Sequence, residues 1–345
     1  MTIVRHAAVT GLMIVGMILA AVSLTAAPSQ ASQQPPRGRI PSSPHRIKVT
    51  ATIDVGNSPY GIAADPDTNA IYVTGANAVT EISGLTSTVV ASIPVGGDPL
   101  AIATDPATDT VYVANFESAS VSVINGRTNK ITATVGVGSH PLAITADPRT
   151  DTIYVASNPG VSSGSVSVIN GHTNKVTATI PVPASPGGIA ADPRTGKIYL
   201  SSSESSTVSV ISEKTGTVTG SIPVGLTPGG VAVDSRTDRI YVTSEHDNTV
   251  SVISGQSGKV QATVTVGRLP EGIAIDPATH HVFVTSSFVD NNAPSSVSVI
   301  DERTNTIDFR ITVGVEPEGV TVDPLTDAAY VANTQSGTIS VLTPS

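Results

Sequence analysis

Carboxylates and imidazoles are the side chains in this 345-residue chain whose types and positions could bind a ligand. Those of greatest interest lie between short apolar runs that recur along the chain. They are Glu271, Glu318, Glu316, Glu245, His246, Asp290 and His140. Carboxylates suit Ca²⁺ or Mg²⁺, whereas imidazoles suit Zn²⁺. If they converge, they predict a site for a hard cation or a cationic ligand. A solvated acidic surface is the alternative.

Other patterns with catalytic associations lack the context that their chemistry needs. The sequence 160–164 reads G-x-S-x-G, but a hydrolase nucleophile requires a strand, a sharp turn and a helix, and here strand-like runs flank it. His280 and His281 are adjacent on a predicted strand and therefore point to opposite faces. With no cysteine and no haem-attachment motif, no catalytic residue is predicted.

The chain that must position these groups is built from a repeat, best seen in residues 225–267. Each copy has four apolar runs of four to eight residues, rich in Val, Ile, Thr and Tyr, separated by turn-forming residues. No run shows the 3.6-residue period of a helix. One copy therefore predicts a four-stranded antiparallel sheet of roughly 42 residues, which is typical of a propeller blade.

Seven copies can be counted from two recurring residues. An aspartate follows the first run of each copy, where it favours a tight turn rather than a metal or catalytic series. These are Asp65, Asp105, Asp147, Asp192, Asp234, Asp276 and Asp323. An aromatic residue recurs in the second run, where it predicts packing between blades. These are Tyr72, Tyr112, Tyr154, Tyr199, Tyr241, Phe283 and Tyr330.

The ends of the repeat region predict how the ring closes. Lys48–Val55 reads as a fourth strand with no blade before it, and Ile339–Leu342 as a third strand with no fourth after it. The first can complete the blade of the second, which removes an unpaired edge. The predicted fold is all-β: a seven-bladed β-propeller over residues 47–345, with four antiparallel strands per blade. In the fourth strand 175–182, alternation predicts that Val176, Ala178, Ile180 and Val182 face inward.

The recurring words IYVT, VYVA and VSVIN, with a preceding Gly-x-x-Pro-x-Gly-Ile/Val-Ala-x-Asp-Pro element, resemble the YVTN repeat β-propeller family. The resemblance covers residues 47–345, and copy one departs mildly from it. It implies a propeller in a secreted or cell-surface protein and no common activity.

Residues 1–31 resemble a signal peptide with cleavage after Ala27 or Ala31, although an uncleaved anchor is the alternative. Residues 32–46, rich in Pro and Ser, predict a linker. Because four of the 18 basic residues precede Ile47, residues 47–345 have 14 basic and 27 acidic residues, a net charge of −13. With no Trp, this composition argues against nucleic-acid binding.

Together these features predict a secreted or envelope-associated monomer with no membrane span once mature. It would act as a binding scaffold that presents its loops to a protein, an envelope polymer or a small ligand. The alternative is a metal-assisted enzyme, similar to propeller lactonases or lyases, with its site at the mouth of the central channel. Calcium or magnesium is the cofactor that this alternative requires.

Overall fold

The computed structural model describes residues 46–56, 58–160, 163–287 and 295–344. These residues form 28 β-strands and contain no helix. The strands make seven sheets of four antiparallel strands each. The predicted seven-bladed propeller is therefore confirmed.

Blade one begins at the second strand, and each blade except the last runs through consecutive strands. The strands of blades one to three are β2 (Ile62–Asp65), β3 (Ala70–Thr74), β4 (Ala78–Ser83), β5 (Thr88–Pro94), β6 (Pro99–Asp105), β7 (Thr110–Asn115), β8 (Ser120–Asn125), β9 (Lys130–Gly136), β10 (Pro141–Asp147), β11 (Thr152–Gly160), β12 (Ser163–Asn170) and β13 (Lys175–Val182). Blades four and five comprise β14 (Pro186–Asp192), β15 (Lys197–Ser202), β16 (Thr207–Ser212), β17 (Thr217–Pro223), β18 (Pro228–Asp234), β19 (Arg239–Ser244), β20 (Thr249–Ser254) and β21 (Lys259–Thr265). Blades six and seven comprise β22 (Pro270–Asp276), β23 (His281–Ser286), β24 (Ser296–Asp301), β25 (Thr306–Thr312), β26 (Pro317–Asp323), β27 (Ala328–Asn333), β28 (Thr338–Pro344) and β1 (Ile47–Asp54).

The ring closes as the sequence predicts. Strand β1 pairs antiparallel with β28, from Ile47 opposite Pro344 to Asp54 opposite Thr338. The first strand of each blade packs beside the first strands of both neighbours, including β26 beside β2. These seven inner strands surround the central axis, and no blade is left without a fourth strand.

The recurring aromatic residues are buried between blades, as predicted. Each is no more than 2% exposed. Their hydroxyl groups also link blades: Tyr72 donates to the carbonyl of Gly126 in blade two, and Tyr330 donates to that of Gly84 in blade one, both at 3.2 Å. Both acceptors lie in the turn between the third and fourth strands of the next blade.

Phe283 is the one member of this series without a hydroxyl. The blade that follows it is blade seven, whose fourth strand is β1. No turn joins β28 to β1, so blade seven lacks the carbonyl that accepts from Tyr72 and Tyr330 in the blades that follow them. This acceptor is not used in every blade, since the Tyr199 hydroxyl is buried with no partner among the described residues.

The seven aspartates are structural, as their sequence context predicts. All are buried, and each accepts a hydrogen bond at Oδ1 from the backbone N–H two residues later. In blades four to seven, Oδ2 also accepts from the hydroxyl of the threonine three residues later. They hold the turn between the first and second strands.

The outer strands differ from the predicted alternation. In β13 only Ile180 and Val182 are buried, whereas Val176 and Ala178 are exposed. A β-bulge at Thr177 breaks the pairing between these halves, and every fourth strand has a bulge at the same position. The bulge bends the strand away from its neighbours and makes the outer edge less available for pairing with another chain.

The expected signal peptide and most of the linker (residues 1–45) lie outside the described residues. Within the described ranges, no helix is long and apolar enough to cross a membrane. Residues 161–162 of the G-x-S-x-G motif also lie outside. The motif spans the connection between β11 and β12, where Gly160 pairs with Ser163, so it lies between two strands as expected.

Candidate functional site at the channel mouth

The two ends of the ring are built from different connections. We call the mouth end the one formed by the loops before the inner strands and the loops between second and third strands. Backbone hydrogen bonds join these loops within each blade, for example from Glu245 N–H to the Thr227 carbonyl. The turn end carries the connections between first and second and between third and fourth strands.

At the mouth end, a proline recurs in every blade at or just before the start of the inner strand, and each blade contributes the residue that follows this proline. In ring order these residues are Tyr60, Leu100, Leu142, Gly187, Gly229, Glu271 and Glu318. Although the backbone positions are equivalent, four residue types occupy them. Glu271 and Glu318 lie side by side because β22 and β26 are neighbouring inner strands.

Inter-blade hydrogen bonds fix the backbone of both glutamates. The Thr243 hydroxyl of blade five donates to the Glu271 carbonyl at 3.0 Å, and the Thr285 hydroxyl of blade six donates to the Glu318 carbonyl at 2.8 Å. Gly230 allows the close approach, since a Cβ there would lie 2.4 Å from the Glu271 carbonyl oxygen. The two carboxyl groups are therefore held by a rigid frame.

The two carboxyl groups act directly on each other. Burial raises the pKa of Glu271 well above its ordinary value, and the Glu318 carboxyl raises it further. Burial also raises the pKa of Glu318, while the hydrogen bond with Glu271 lowers it. Both pKa values are raised, and the two carboxyl groups titrate as one pair that hydrogen-bonds to itself. Like charges this close favour one shared proton.

The pair has buried oxygen atoms that no third group in the described part of the chain satisfies. The Oε2 atoms of Glu271 and Glu318 are both buried and accept no hydrogen bond from another residue's donor there. A buried carboxyl oxygen without a donor is costly, but Asp65, Asp105 and Glu302 also have such oxygens, so the feature that sets this pair apart is that two carboxyl groups lie against each other.

Two further predicted residues, Glu245 and Glu316, lie close enough to act on this pair. Both raise the pKa values of Glu271 and Glu318 through charge repulsion. Glu316 precedes the proline of β26 with a φ of 53°, and its carbonyl accepts from Thr334 N–H at 2.8 Å. The structure thus brings together four of the seven predicted residues.

The structure shows other contacts for the two predicted histidines, and one predicted residue is not described. His246 is exposed, and its Nδ1 contacts the hydroxyl of Thr227. His140 packs against Phe116 on the side of blades two and three, with ring centroids 4.6 Å apart. Asp290 lies outside the described residues. Among those described, no group of three His, Asp or Glu side chains could hold a metal ion, so the predicted mixed cluster is not assembled from them.

The turn end contains one buried acidic residue that the sequence analysis missed. Glu302 is 1% exposed and burial raises its pKa to about 7. Its Oε2 lies 3.9 Å from Arg236 Nη2 and 3.4 Å from His280 Nδ1. It occupies the turn position where blades one, two, three and five have glycine and blade four has Glu213, which was a visible signal. His281 instead faces Asp308 at 3.5 Å, so the two adjacent histidines point apart, as expected.

Comparisons with known proteins agree with this architecture. No protein-family model matches the chain, and no curated protein sequence matches it. Among solved structures it is similar to Kuenenia stuttgartiensis hydrazine synthase, with a TM-score of 0.72 and 20% sequence identity. The match covers 88% of this chain and 98% of that chain. At this identity the likeness shows the propeller fold alone.

Proposed function

We propose that this protein is an extracytoplasmic binding protein that takes a ligand at the mouth end through Glu271 and Glu318. The observation that carries the proposal is the neighbouring pair of glutamates at equivalent mouth-end positions, where the other blades have Tyr, Leu or Gly, with Glu245 and Glu316 acting on the pair. A propeller supports a scaffold role because rigid blades present loops of independent sequence.

Resemblance to the YVTN repeat family and the signal-peptide pattern of residues 1–31 support a location outside the cytoplasm. Binding is favoured over metal-assisted catalysis because the described residues do not provide three ligands for a metal ion. Cleavage after Ala27 or Ala31 is checked by the intact mass of the mature protein.

The proposal predicts that the empty site costs stability. Glu271→Gln/Glu318→Gln removes the ionisable groups while keeping their shape. We expect the ligand-free variant to unfold about 2–4 °C higher than the wild-type protein at pH 7, equivalent to about 1 kcal/mol. Differential scanning calorimetry measures this, with Glu204→Gln, an exposed acid of the mouth end, as the matched control.

The pH dependence gives the same test a second readout. Both folded pKa values are raised, so the folded wild-type protein binds more protons than the unfolded chain above the ordinary glutamate value of about 4.3. Wild-type stability therefore falls as the pH rises above that value, and the advantage of the double variant grows. A variant that unfolds at a lower temperature than wild type at pH 7 would show that the pair is structural.

A further inference from the structure

Two junctions between blades have a glutamate at the same position of the turn end. Glu213 of blade four and Glu302 of blade six each follow the third strand of their blade. An arginine of the preceding blade faces each glutamate. Arg149 Nη2 lies 2.5 Å from Glu213 Oε2, whereas Arg236 Nη2 lies 3.9 Å from Glu302 Oε2. The junction of blades five and six therefore has the same charges without the close ion pair.

The two junctions differ at the turn residue four positions after the recurring aspartate. This residue has a positive φ in every blade, and the series is Asn69, Asp109, Asp151, Gly196, Asp238, His280 and Asp327. Gly196 of blade four and His280 of blade six both have a φ of 64°. The Glu302 N–H donates to the His280 carbonyl at 2.9 Å, as the Glu213 N–H does to the Gly196 carbonyl. The series thus places one imidazole directly beside the buried glutamate.

The imidazole of His280 lies between two groups of opposite charge. Its Nδ1 is 3.2 Å from Arg236 Nη2 and 3.4 Å from Glu302 Oε2. A guanidinium can only donate a hydrogen bond, and a carboxylate can only accept one. Nδ1 therefore accepts from Arg236 when it has a lone pair and donates to Glu302 when it has a proton, and the two contacts exclude each other.

The surroundings of Glu302 make this choice consequential. Its side chain is 1% exposed, and neither carboxyl oxygen has a hydrogen-bond partner in the described part of the chain. Burial and then Asp234 raise the pKa of Glu302 to about 7, while the Tyr241 hydroxyl and Arg236 lower it. Arg239 donates to its backbone carbonyl rather than to its carboxyl group. The flanking residues Asp301 and Arg303 pair with each other at 3.0 Å. A protonated His280 is therefore the nearest cation to this carboxylate.

We propose that His280 is a pH-dependent switch at the junction of blades five and six. In the protonated form, its Nδ1–H donates to Glu302, and the contact with Arg236 is lost because both groups are cations. In the neutral form, the proton lies on Nε2 and Nδ1 accepts from Arg236 of the neighbouring blade. Glu302 then has no hydrogen-bond donor. Histidine changes its charge between pH 5 and 8, so the exchange of partners falls in that range.

The direction of the pH effect follows from Glu302. Its pKa rises from 4.5 in the unfolded chain to about 7 in the folded protein. This contribution to stability is therefore fully present below about pH 4.5 and is lost as the pH rises to about 7. Burial also raises the pKa of Asp105, to about 6, which adds a trend of the same sign. The test accordingly compares variants with the wild-type protein at each pH.

His280→Gly reproduces the arrangement of blade four, where Gly196 has the same φ and Arg149 reaches Glu213. We expect the wild-type protein to unfold about 2 °C above this variant at pH 5, and the difference to disappear at pH 8. Differential scanning calorimetry between these pH values measures it. In a Glu302→Gln background, the effect of His280→Gly should not depend on pH.

His246→Gln is the matched control for the calorimetry. His246 is exposed, and its Nδ1 contacts the neutral hydroxyl of Thr227 rather than an acid. Its difference from the wild-type protein should stay constant between pH 5 and 8.

Nitrogen NMR of the protein labelled with ¹⁵N-histidine observes the switch directly, since ring nitrogens with and without a proton have different chemical shifts. His280→Gly assigns the signals by removing them. We expect both nitrogens of His280 to be protonated at pH 5, and only Nε2 at pH 8. In Arg236→Ala, which has the residue found at the equivalent positions 107 and 278, we expect Nδ1 to keep its proton at pH 8.

Two results would overturn the inference. One is a difference in unfolding temperature between the wild-type protein and His280→Gly that is the same at pH 5 and pH 8. The other is a wild-type His280 whose Nδ1 is still protonated at pH 8. Either result would show that His280 is a turn residue that does not exchange partners.

Discussion

The mouth end and the turn end both bury acidic side chains, but their neighbours differ. At the turn end, Glu213 accepts from Arg149 at 2.5 Å and from Thr150 at 2.6 Å, and Glu302 lies within 4 Å of Arg236 and His280. At the mouth end, the charged groups acting on Glu318 are acidic. Cations beside a buried acid favour its charged form and neighbouring acids oppose it, so the mouth end is the less favourable of the two environments for a carboxylate.

The two ends also differ in how far the copies agree. Every blade has an aspartate and an aromatic residue at the turn end, and six of the seven aromatic residues are tyrosine. At the mouth end, the seven equivalent positions hold Tyr, Leu, Gly and Glu. Positions that each blade needs for packing are repeated, while positions free of that demand vary, so departures from the repeat indicate where function lies.

The largest effect on stability is expected for β1, the closing strand of blade seven, which no turn joins to β28. In blade seven, β1 is held by its pairing with β28 and by the buried side chains of Ile47 and Ile53, with no turn between the two strands, so deleting residues 1–55 removes the fourth strand of that blade. We expect a loss of stability greater than the about 5 kcal/mol that single substitutions rarely exceed. Calorimetric unfolding measures it, with deletion of residues 1–45 as the control. Equal unfolding temperatures for the two truncations would contradict the closure.

A smaller effect separates a repeated residue from a variable one. Tyr241 is fully buried at the turn end, so Tyr241→Ala should cost about 3–5 kcal/mol through lost packing and a cavity. Tyr60 lies partly buried at the mouth end, and Tyr60→Ala should cost about 1 kcal/mol or less. Urea unfolding curves measure both. Similar losses of stability at the two positions would show that Tyr60 contributes as much to packing as Tyr241 does.

Features that every blade repeats could be predicted from the sequence, whereas features that differ locally could not. The strand periodicity, the turn aspartates and the unmatched strand 48–55 predicted the blade count and the closure, because each copy repeats the same local signals. The bulge at Thr177 was not predicted, since a period-two pattern assumes unbroken pairing and Val176 fits it equally well on either face. A pattern that is read from all copies together does not show where strand pairing is interrupted within a copy.

The candidate site was only partly predictable for a related reason. Glu271 and Glu318 stood out because carboxylates replace other residues at one repeat position. The residues at the same position in blades one to three, Tyr60, Leu100 and Leu142, look like ordinary strand residues until the position is compared around the ring. The expectation that His140 and His246 join the carboxylates stays a prediction, since a loop position does not fix where a side chain points. The contact that the structure gives His140 is with Phe116.

The smallest expected effect tests whether the absence of a turn between β28 and β1 accounts for the phenylalanine at position 283. Tyr72→Phe removes the hydrogen bond to the Gly126 carbonyl and should cost about 1 kcal/mol. If every blade offered an equivalent acceptor, Phe283→Tyr would gain a similar amount. Because β1 is not joined to β28 by a turn, we expect the added hydroxyl to be buried without that acceptor and to lower stability by about 1 kcal/mol. Urea midpoints for the two variants, with Tyr330→Phe as a second hydrogen-bond deletion, decide between these outcomes. A Phe283→Tyr protein more stable than wild type would mean that blade seven supplies an acceptor after all.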